Sequence, residues 1–189
     1  MLTEEKNIVL KSGGTALLRN PSESDAQGLL DYLRITAGET DFLLRYPEEC
    51  DNLYSLEGEK VIINRINSSE NELMLLCEAG GEIAGVCNLS FNTRIKTRHI
   101  SRIAIAVVKK YWRQGIGKQM MNELISIAES REEVLQIELE FIEGNHRARA
   151  MYESLGFRIT CVRPNAFRLK DGTLLNEYAM ARPVIRKQN

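Results

Sequence analysis

The stretch "YWRQGIGKQMMNELISIAES", residues 111–130, places aromatic and basic residues ahead of two glycines that lie one residue apart. An amphipathic run follows at once. Glycine inside a helix costs about 0.8–1.0 kcal/mol relative to alanine, so two glycines at a helix start require a cause. One cause is that an anion's oxygens must approach the backbone more closely than a Cβ would allow. The spacing predicts a helix from about residue 115 to 130, whose apolar face carries Ile116, Met120, Leu124 and Ile127.

Three anion-binding loops compete for this stretch. A Walker A loop requires G-x-x-x-x-G-K-[ST], but Trp112 stands at the first glycine position and Gln119 follows Lys118. A dinucleotide fingerprint requires a third glycine where this chain has Met120, and it must follow directly after a strand. The third candidate is a loop that binds the pyrophosphate of coenzyme A. Free N–H groups and the helix dipole favour phosphate at a helix N-terminus. The competing interpretation is a tight loop with a solvated basic face.

Basic residues are concentrated just before and within this loop. Residues 94–118 contain eight basic residues and no acidic one, although the net charge of the whole chain is −1. A nucleic-acid-binding protein usually has a basic excess overall, so the composition argues against nucleic acid as a partner. The local charge favours an anionic ligand. The eight residues are Arg94, Lys96, Arg98, Arg102, Lys109, Lys110, Arg113 and Lys118.

The remaining periodicity predicts a single α/β domain over residues 1–189, with the order β-α-α-β-β-β-α-β-α-β-β. No repeat or linker divides the chain. The second half of the strand at 99–108 is apolar throughout, so it is predicted to be buried on both faces. The other predicted strands are at 15–20, in a hairpin within 71–92, at 134–142, and in two final segments joined by "LKDGTL"; the helices are at 21–40, 55–69, 115–130 and 145–156.

A second motif follows in "LQIELEFIEGNHRARAMYESLGF", residues 135–157. It fills the pattern N-x-x-A-x-x-x-Y-x-x-x-G-F with Asn145, Ala148, Tyr152, Gly156 and Phe157. Together with "RIAIAVVKKYWRQGIGKQMMNELISIA", residues 102–128, it resembles the GNAT superfamily of N-acetyltransferases across residues 15–182. The resemblance implies a mixed, mostly antiparallel central sheet with helices on both faces. The loop departs from the family pattern at Trp112, where Gln or Arg is usual, and at Arg113, where Gly is frequent.

The resemblance implies acetyl-CoA as cosubstrate and no metal. In such enzymes a central strand pairs with the pantetheine arm, and one of its N–H groups faces the oxyanion; such a donor is worth about 3 kcal/mol in acyl transfer. A free amine attacks the thioester directly, and this chain has no Cys–His or Ser–His arrangement that suggests covalent catalysis. Transferred to this sequence, the cofactor-binding residues are Ile105, Ala106, Val107, Arg113, Gln114, Gly115, Ile116, Gly117, Lys118, Asn145, Ala148 and Tyr152.

Two residues are candidates for proton transfer by the same resemblance. Tyr152 matches the tyrosine that protonates the departing thiolate, and its alternative role is a helix tyrosine packed in the core. Glu140 matches the base of the branch that acts on protein N-termini, and its alternative is a solvent-facing strand residue. Some family members carry Glu in the first half of the central strand, where this chain has Arg102. A non-catalytic acyl-CoA sensor on the same fold therefore remains an alternative function.

The acceptor is predicted to be a primary amine of a small molecule or peptide. Residues 39–59, in the segment that lines the acceptor pocket in the family, contain seven acids and only one base, Arg45. An acidic lining would attract a cationic amine, with Glu39 or Asp41 as a binding group or base. A solvated polar loop is the alternative. His99, which opens the central strand, is a further candidate at the mouth of the cleft, or an ordinary strand-end histidine.

The cysteine content and the hydropathy of the chain also indicate the cellular compartment in which we expect the protein. Cys50, Cys77, Cys87 and Cys161 lie far apart without metal-ligand spacing, so they are predicted to be buried free thiols. No apolar run approaches the roughly 20 residues needed to span a bilayer, and "MLTEEKNIVL" lacks a signal-like core. We therefore expect a cytoplasmic protein without a membrane partner. A homodimer is left open.

Overall fold

Eight strands form one sheet in the computed structural model, which describes residues 1–186. Their order is β1-β2-β3-β4-β5-β6-β8-β7, and β5 with β6 is the parallel pair among otherwise antiparallel neighbours. The predicted α/β class with a mostly antiparallel sheet is confirmed. The strands are β1 (Lys6–Val9), β2 (Thr15–Arg19), β3 (Glu72–Ala79), β4 (Glu82–Phe91), β5 (Ile100–Val107), β6 (Gln136–Ile142), β7 (Arg158–Arg168) and β8 (Leu174–Pro183). The helices are α1 (Ala26–Glu39), α2 (Pro47–Leu53), α3 (Leu56–Ser68), α4 (Ile116–Ser130) and α5 (His146–Ser154).

Helices cover both faces of the sheet. Side chains of successive strand residues point to opposite faces, so a strand that is apolar throughout needs a packing partner on each face. In β3, Leu73 and Leu75 pack in the core that contains α4, whereas Met74 and Leu76 pack in the core beneath α1 and α3. All four side chains are buried. The apolar face of α4 is close to the predicted one, except that Ile127 is half-buried.

One short strand and one short α-helix were not predicted from the sequence. The edge strand β1 has four residues and pairs with β2. Helix α2 has seven residues and lies inside the acidic segment, where Pro47 begins the helix and the Glu49 carboxylate accepts a hydrogen bond from the Tyr46 N–H at 2.7 Å. Elements this short carry too few residues for a periodic signal, and an isolated helix of this length is marginal in water.

The second half of β5 is not buried on both faces, so that prediction is wrong. Strand β6 pairs with β5 only where Ile100–Arg102 faces Gln136–Glu138. Beyond this point the two strands separate, leaving Ala104 exposed and residues 105–107 half-buried. The apolar residues of β5 therefore line an open gap in the sheet.

Cys50, Cys77 and Cys87 are buried free thiols, but Cys161 is exposed, contrary to the prediction for all four. Its strand, β7, lies at the sheet edge, where most side chains are exposed. Across residues 1–186, no helix has both the length and the apolarity to span a membrane. The same residues contain no group of three or more His, Cys, Asp or Glu arranged to hold a metal ion.

Candidate active site

The separation of β5 and β6 opens a cavity of about 660 Å³. Its walls are the end of β5, the loop and first turn of α4, the β6–α5 connection, and the segment between α1 and α2. Among the sequence-predicted residues, it brings together Ile105, Ala106, Val107, Arg113, Gly115, Ile116, Gly117, Lys118, Glu140, Asn145, Ala148 and Tyr152.

Backbone direction decides which groups of β5 face the gap. The Val108 N–H donates to Ala84 O at 2.9 Å on the β4 side, whereas His99 O accepts from the Leu135 N–H at 2.8 Å on the β6 side. Because these directions alternate along a strand, Ile105 and Val107 present their backbone groups to the gap.

The backbone of Ala106 faces the other way. Its carbonyl accepts a hydrogen bond from Tyr32 Oη at 2.8 Å, on the side of β4 and α1. The Val107 carbonyl accepts from Trp112 Nε1 at 2.6 Å. The groups that remain for a ligand along this stretch of the gap are therefore both groups of Ile105 and the N–H of Val107. Ala106 lines the cavity without turning its backbone toward it.

The loop before α4 leaves the helix N-terminus free of a side-chain cap. Gly115, the N-cap residue, has φ of 90°, and the first intrahelical bond runs from the Gln119 N–H to Gly115 O at 3.1 Å. The N–H groups of Ile116, Gly117 and Lys118 come before that bond and have no intrahelical acceptor. All three residues line the cavity. The arrangement is suited to an anion.

Four cationic side chains surround this end of the cavity: Lys11, Arg113, Lys118 and Arg147. None takes part in the ion pairs found within residues 1–186. The Arg147 guanidinium stacks on the Trp112 ring. Burial lowers the pKa of Arg147, and the charge of Arg113 lowers it further. This end of the cavity is therefore electropositive.

Tyr152 lies deep in the cavity wall between Phe141 and Phe157, with ring centroids 6.1 and 6.2 Å away. Burial raises the pKa of Tyr152 to about 12, and the nearby charge of Arg147 acts in the opposite direction. The phenol is therefore protonated throughout the physiological pH range and can donate a proton. Asn145 caps α5, because its Oδ1 accepts from the Ala148 N–H at 3.2 Å.

Glu140 is exposed on β6, opposite Ala179 of β8. Its neighbour Phe141 points to the buried side and stacks on Tyr178. The Glu140 carboxylate therefore lies on the open side of the strand, at the cavity wall.

Four predicted residues do not line the cavity. Gln114 holds the β1–β2 loop, because its Oε1 accepts from the Ser12 N–H at 3.1 Å. Glu39 accepts from the Lys109 N–H at 2.7 Å. Asp41 is exposed outside the cavity, and His99 lies at the opposite end of β5.

The other acids of the segment 39–59 are also directed elsewhere. Glu48 pairs with Lys170 of the β7–β8 turn, and Asp51 pairs with Arg34 of α1. Glu49 bonds within α2, Glu57 pairs with Lys60, and Glu59 is buried on α3. The structure thus places none of the seven acids on the cavity wall. Six of them are positioned elsewhere by ion pairs, hydrogen bonds or burial, and Asp41 is exposed.

Several lining residues were not predicted. The segment between α1 and α2 contributes Phe42, Leu43, Leu44 and Arg45, and the last two strands contribute Phe167 and Glu177. Glu177 pairs with Arg163 at 2.8 Å. The sequence held one signal for this wall, since Arg45 is the single base of an acidic segment.

Comparison with known proteins gives a consistent result. The family model described as Acetyltransferase (GNAT) family matches residues 39–157. The ribosomal protein bS18-alanine N-acetyltransferase of Escherichia coli K12 is 41% identical over 68 residues, which are 36% of this chain and 45% of that protein. The match thus spans less than half the length of this curated relative.

Solved structures share the fold over most of the chain. A GNAT-family acetyltransferase from Streptococcus pneumoniae has a TM-score of 0.81 and 28% identity, covering 89% of this chain and 99% of its own. A Salmonella typhimurium protein solved with its cofactor acetyl-CoA has a TM-score of 0.74 and 16% identity, covering 91% of this chain and 95% of its own.

Proposed function

Because the chain belongs to the GNAT family of acetyltransferases, we propose that it transfers an acetyl group from acetyl-CoA to a primary amine of a small molecule or peptide. The observation that carries the proposal is the cavity between β5 and β6. There, unpaired strand backbone, an uncapped helix N-terminus and a protonated tyrosine line one space. The Salmonella protein of the same fold was solved with acetyl-CoA, which supports the choice of donor.

The chain offers suitable partners for the pyrophosphate and the pantetheine arm of coenzyme A. The N–H groups of residues 116–118 would bind the pyrophosphate, helped by the charges of Arg113 and Lys118. The backbone groups of Ile105 and the Val107 N–H would bond the amides of the pantetheine arm, which takes the place left by β6. Asn145 and Ala148, at the start of α5, would contact the same arm from the opposite wall.

Acetyl-CoA supplies an activated thioester, so the chain itself needs no nucleophile. An N–H of Ile105 or Val107 would donate to the thioester oxygen as negative charge develops there. One such donor contributes typically about 3 kcal/mol to acyl transfer. The gap in the sheet is what makes these donors available.

Two side chains would transfer protons during the reaction. An ammonium group with a lysine-like pKa of about 10.4 is mostly protonated at neutral pH, so the acceptor must lose a proton before it attacks. Glu140 would take this proton, directly or through a water. Tyr152 would donate its phenolic proton to the departing sulfur.

A screen of acceptors tests the function. Purified protein is incubated with acetyl-CoA and a panel of polyamines, amino acids, aminoglycosides and peptides, including peptides with N-terminal alanine. Free thiol is measured, and the acetylated product is identified by mass spectrometry. We expect thiol release that depends on an acceptor, with intersecting initial-velocity lines because both substrates bind before reaction. Binding of acetyl-CoA without transfer to any amine would favour the sensor alternative instead.

A further inference from the structure

The segment between α1 and α2 brings one charged side chain to the cavity, that of Arg45. Its Nη2 donates to Thr36 Oγ1 at 3.3 Å, and its buried Nε has no hydrogen-bond partner within residues 1–186. A guanidinium has five N–H donors, so most of its binding capacity remains available.

No carboxylate of the described residues lies within ion-pairing distance of Arg45. Glu59 of α3 is buried nearby; burial raises its pKa, and the charge of Arg45 only opposes that effect. Glu39 is bonded to the Lys109 N–H instead. Partial burial of an unpaired cation is unfavourable unless a ligand supplies the opposite charge. None of the carboxylates in residues 1–186 forms such a pair with Arg45.

The charge of Arg45 acts on Tyr32 of α1, which is bonded to the central strand. Burial raises the pKa of Tyr32 above its ordinary range, and the charge of Arg45 is the strongest side-chain charge opposing this shift. Tyr32 in turn donates its hydrogen bond to Ala106 O of β5. Arg45 and residues 103–107 of β5, the strand along which the thioester is proposed to bind, line the same cavity.

A carboxylate lines the facing wall. A Cβ built on Gly144, in the β6–α5 connection, would lie 3.4 Å from the Phe42 ring, so the two walls meet at this end of the cavity. Glu140 lines the β6 side, whereas Glu177 is already paired with Arg163. The lining of the cavity thus includes the Glu140 carboxylate and the Arg45 guanidinium, and neither takes part in an ion pair within residues 1–186.

We propose that Arg45 binds a carboxylate of the acceptor, so that the preferred acceptors are amines that also carry a carboxylate. The inference rests on the proposed acetyl transfer and names its substrate class. Two parallel N–H···O bonds from the planar guanidinium match a carboxylate, while Glu140 would face the acceptor's amine. The carboxylate could be the α-carboxylate of a free amino acid or an acidic side chain near a peptide N-terminus. The acid-rich composition of residues 39–59 predicted that this segment attracts the cationic amine of the acceptor. The group that Arg45 would bind, a carboxylate, has the opposite charge.

The test compares kcat/KM for matched acceptors. One pair is a free amino acid and its α-amide, and the other is a peptide with Asp or Asn after its N-terminal residue. We expect the wild type to prefer the carboxylate member of at least one pair by about 10- to 100-fold. Arg45→Gln should remove this preference while the value for the amide member stays within about threefold. Arg45→Lys, which keeps the charge but lacks the planar fork, should retain part of it.

Arg34→Gln is the matched control, because Arg34 pairs with Asp51 on the exposed surface and does not line the cavity. It should keep the full preference. Calorimetric affinity for acetyl-CoA verifies that each variant is folded.

Equal losses for both members of a pair in Arg45→Gln would indicate a merely structural role and overturn the inference. Acetylation without any preference for carboxylates in the wild type would also overturn it, while leaving acetyl transfer intact. Absence of transfer to every amine would overturn the proposed function and this inference with it.

Discussion

Gly115 has φ of +90°, and no heavy atom outside its chain neighbours lies closer than 3.7 Å to a Cβ built on it. Its backbone conformation, not lack of space, favours glycine at this position. Gly117 has an ordinary helical backbone, but a Cβ there would lie 3.2 Å from Met151 Sδ of α5. Because glycine at 117 has no Cβ, it also permits the close contact between α4 and α5. Arg113, with φ of 65°, adopts the left-handed conformation that is favourable for glycine and uncommon for other residues.

The two glycines should respond differently to alanine. Gly115→Ala should lower the free energy of unfolding by about 1–2 kcal/mol, because the left-handed conformation is unfavourable for residues with a Cβ. In Gly117→Ala the gain in helix propensity of about 1 kcal/mol offsets the displacement of the flexible Met151 side chain. Its stability should stay near that of the wild type, while the Kd for acetyl-CoA rises at least about tenfold, the loss of roughly one hydrogen bond to a charged group. Urea unfolding and calorimetry measure the two quantities.

Gly172→Ala is the matched control, because Gly172 has φ of 91° in the β7–β8 turn and does not line the cavity. It should lose stability as Gly115→Ala does and keep the affinity for acetyl-CoA. Unchanged affinity in Gly117→Ala would mean that the pyrophosphate does not approach this backbone.

Tyr152→Phe should lower kcat by about 10²- to 10⁴-fold, the usual contribution of a general acid, with an unchanged Kd for acetyl-CoA. Because the pKa of Tyr152 is raised to about 12, the phenol keeps its proton well above neutral pH. A fall of wild-type activity between pH 8 and 10 would therefore not arise from this group. Tyr54→Phe, at the end of α2 and outside the cavity, is the control. An unchanged kcat in Tyr152→Phe would remove Tyr152 from the mechanism.

At the scale of elements, the separation of β5 from β6 creates the site. An apolar run such as "IAIAVV" suits a strand that packs on both faces, and it suits equally a strand that lines a cavity. The pattern therefore predicted β5 correctly but not its exposure. The segment between α1 and α2 then closes the cavity from the other side, and its position depends on how α1 is fixed to the sheet.

The link between β2 and α1 is a two-bond ion pair. Arg19 Nη1 and Nη2 donate to the Asp25 carboxylate at 2.8 and 2.7 Å, and Arg19 also contacts Glu78 of β3. Mainly through the bonds from Arg19, the pKa of Asp25 is lowered to about 2. An aspartate whose pKa is lower in the folded state stabilises the fold above its unfolded pKa of about 3.9, and the effect is lost as pH falls toward 2.

Asp25→Asn should therefore lower the free energy of unfolding by roughly 2 kcal/mol at pH 7, measured by urea denaturation. The difference from the wild type should shrink between pH 4 and pH 2. Asp31→Asn, an exposed change on α1, should have little effect. A loss in Asp25→Asn that is independent of pH would contradict the ion-pair explanation.

At the scale of the molecule, the parts that could be predicted are those encoded locally. Residues 102–128 and 135–157 each carry a strand, a connection and a helix in one continuous stretch, so their motifs indicated both the family and the wall proposed to bind coenzyme A. The wall proposed to bind the acceptor combines Phe42, Arg45, Phe167 and Glu177, which only the tertiary fold brings together. The excess of acids in residues 39–59 did not predict the charge of this wall, because the seven acids lie outside the cavity and the single base, Arg45, lines it.

The most direct test of the central claim is a crystal structure of the protein with coenzyme A. We expect the pyrophosphate within hydrogen-bonding distance of the N–H groups of residues 116–118, and the pantetheine arm bonded to the backbone of Ile105 and Val107 in the gap left by β6. Coenzyme A bound elsewhere, or with its pantetheine arm outside this gap, would contradict the claim.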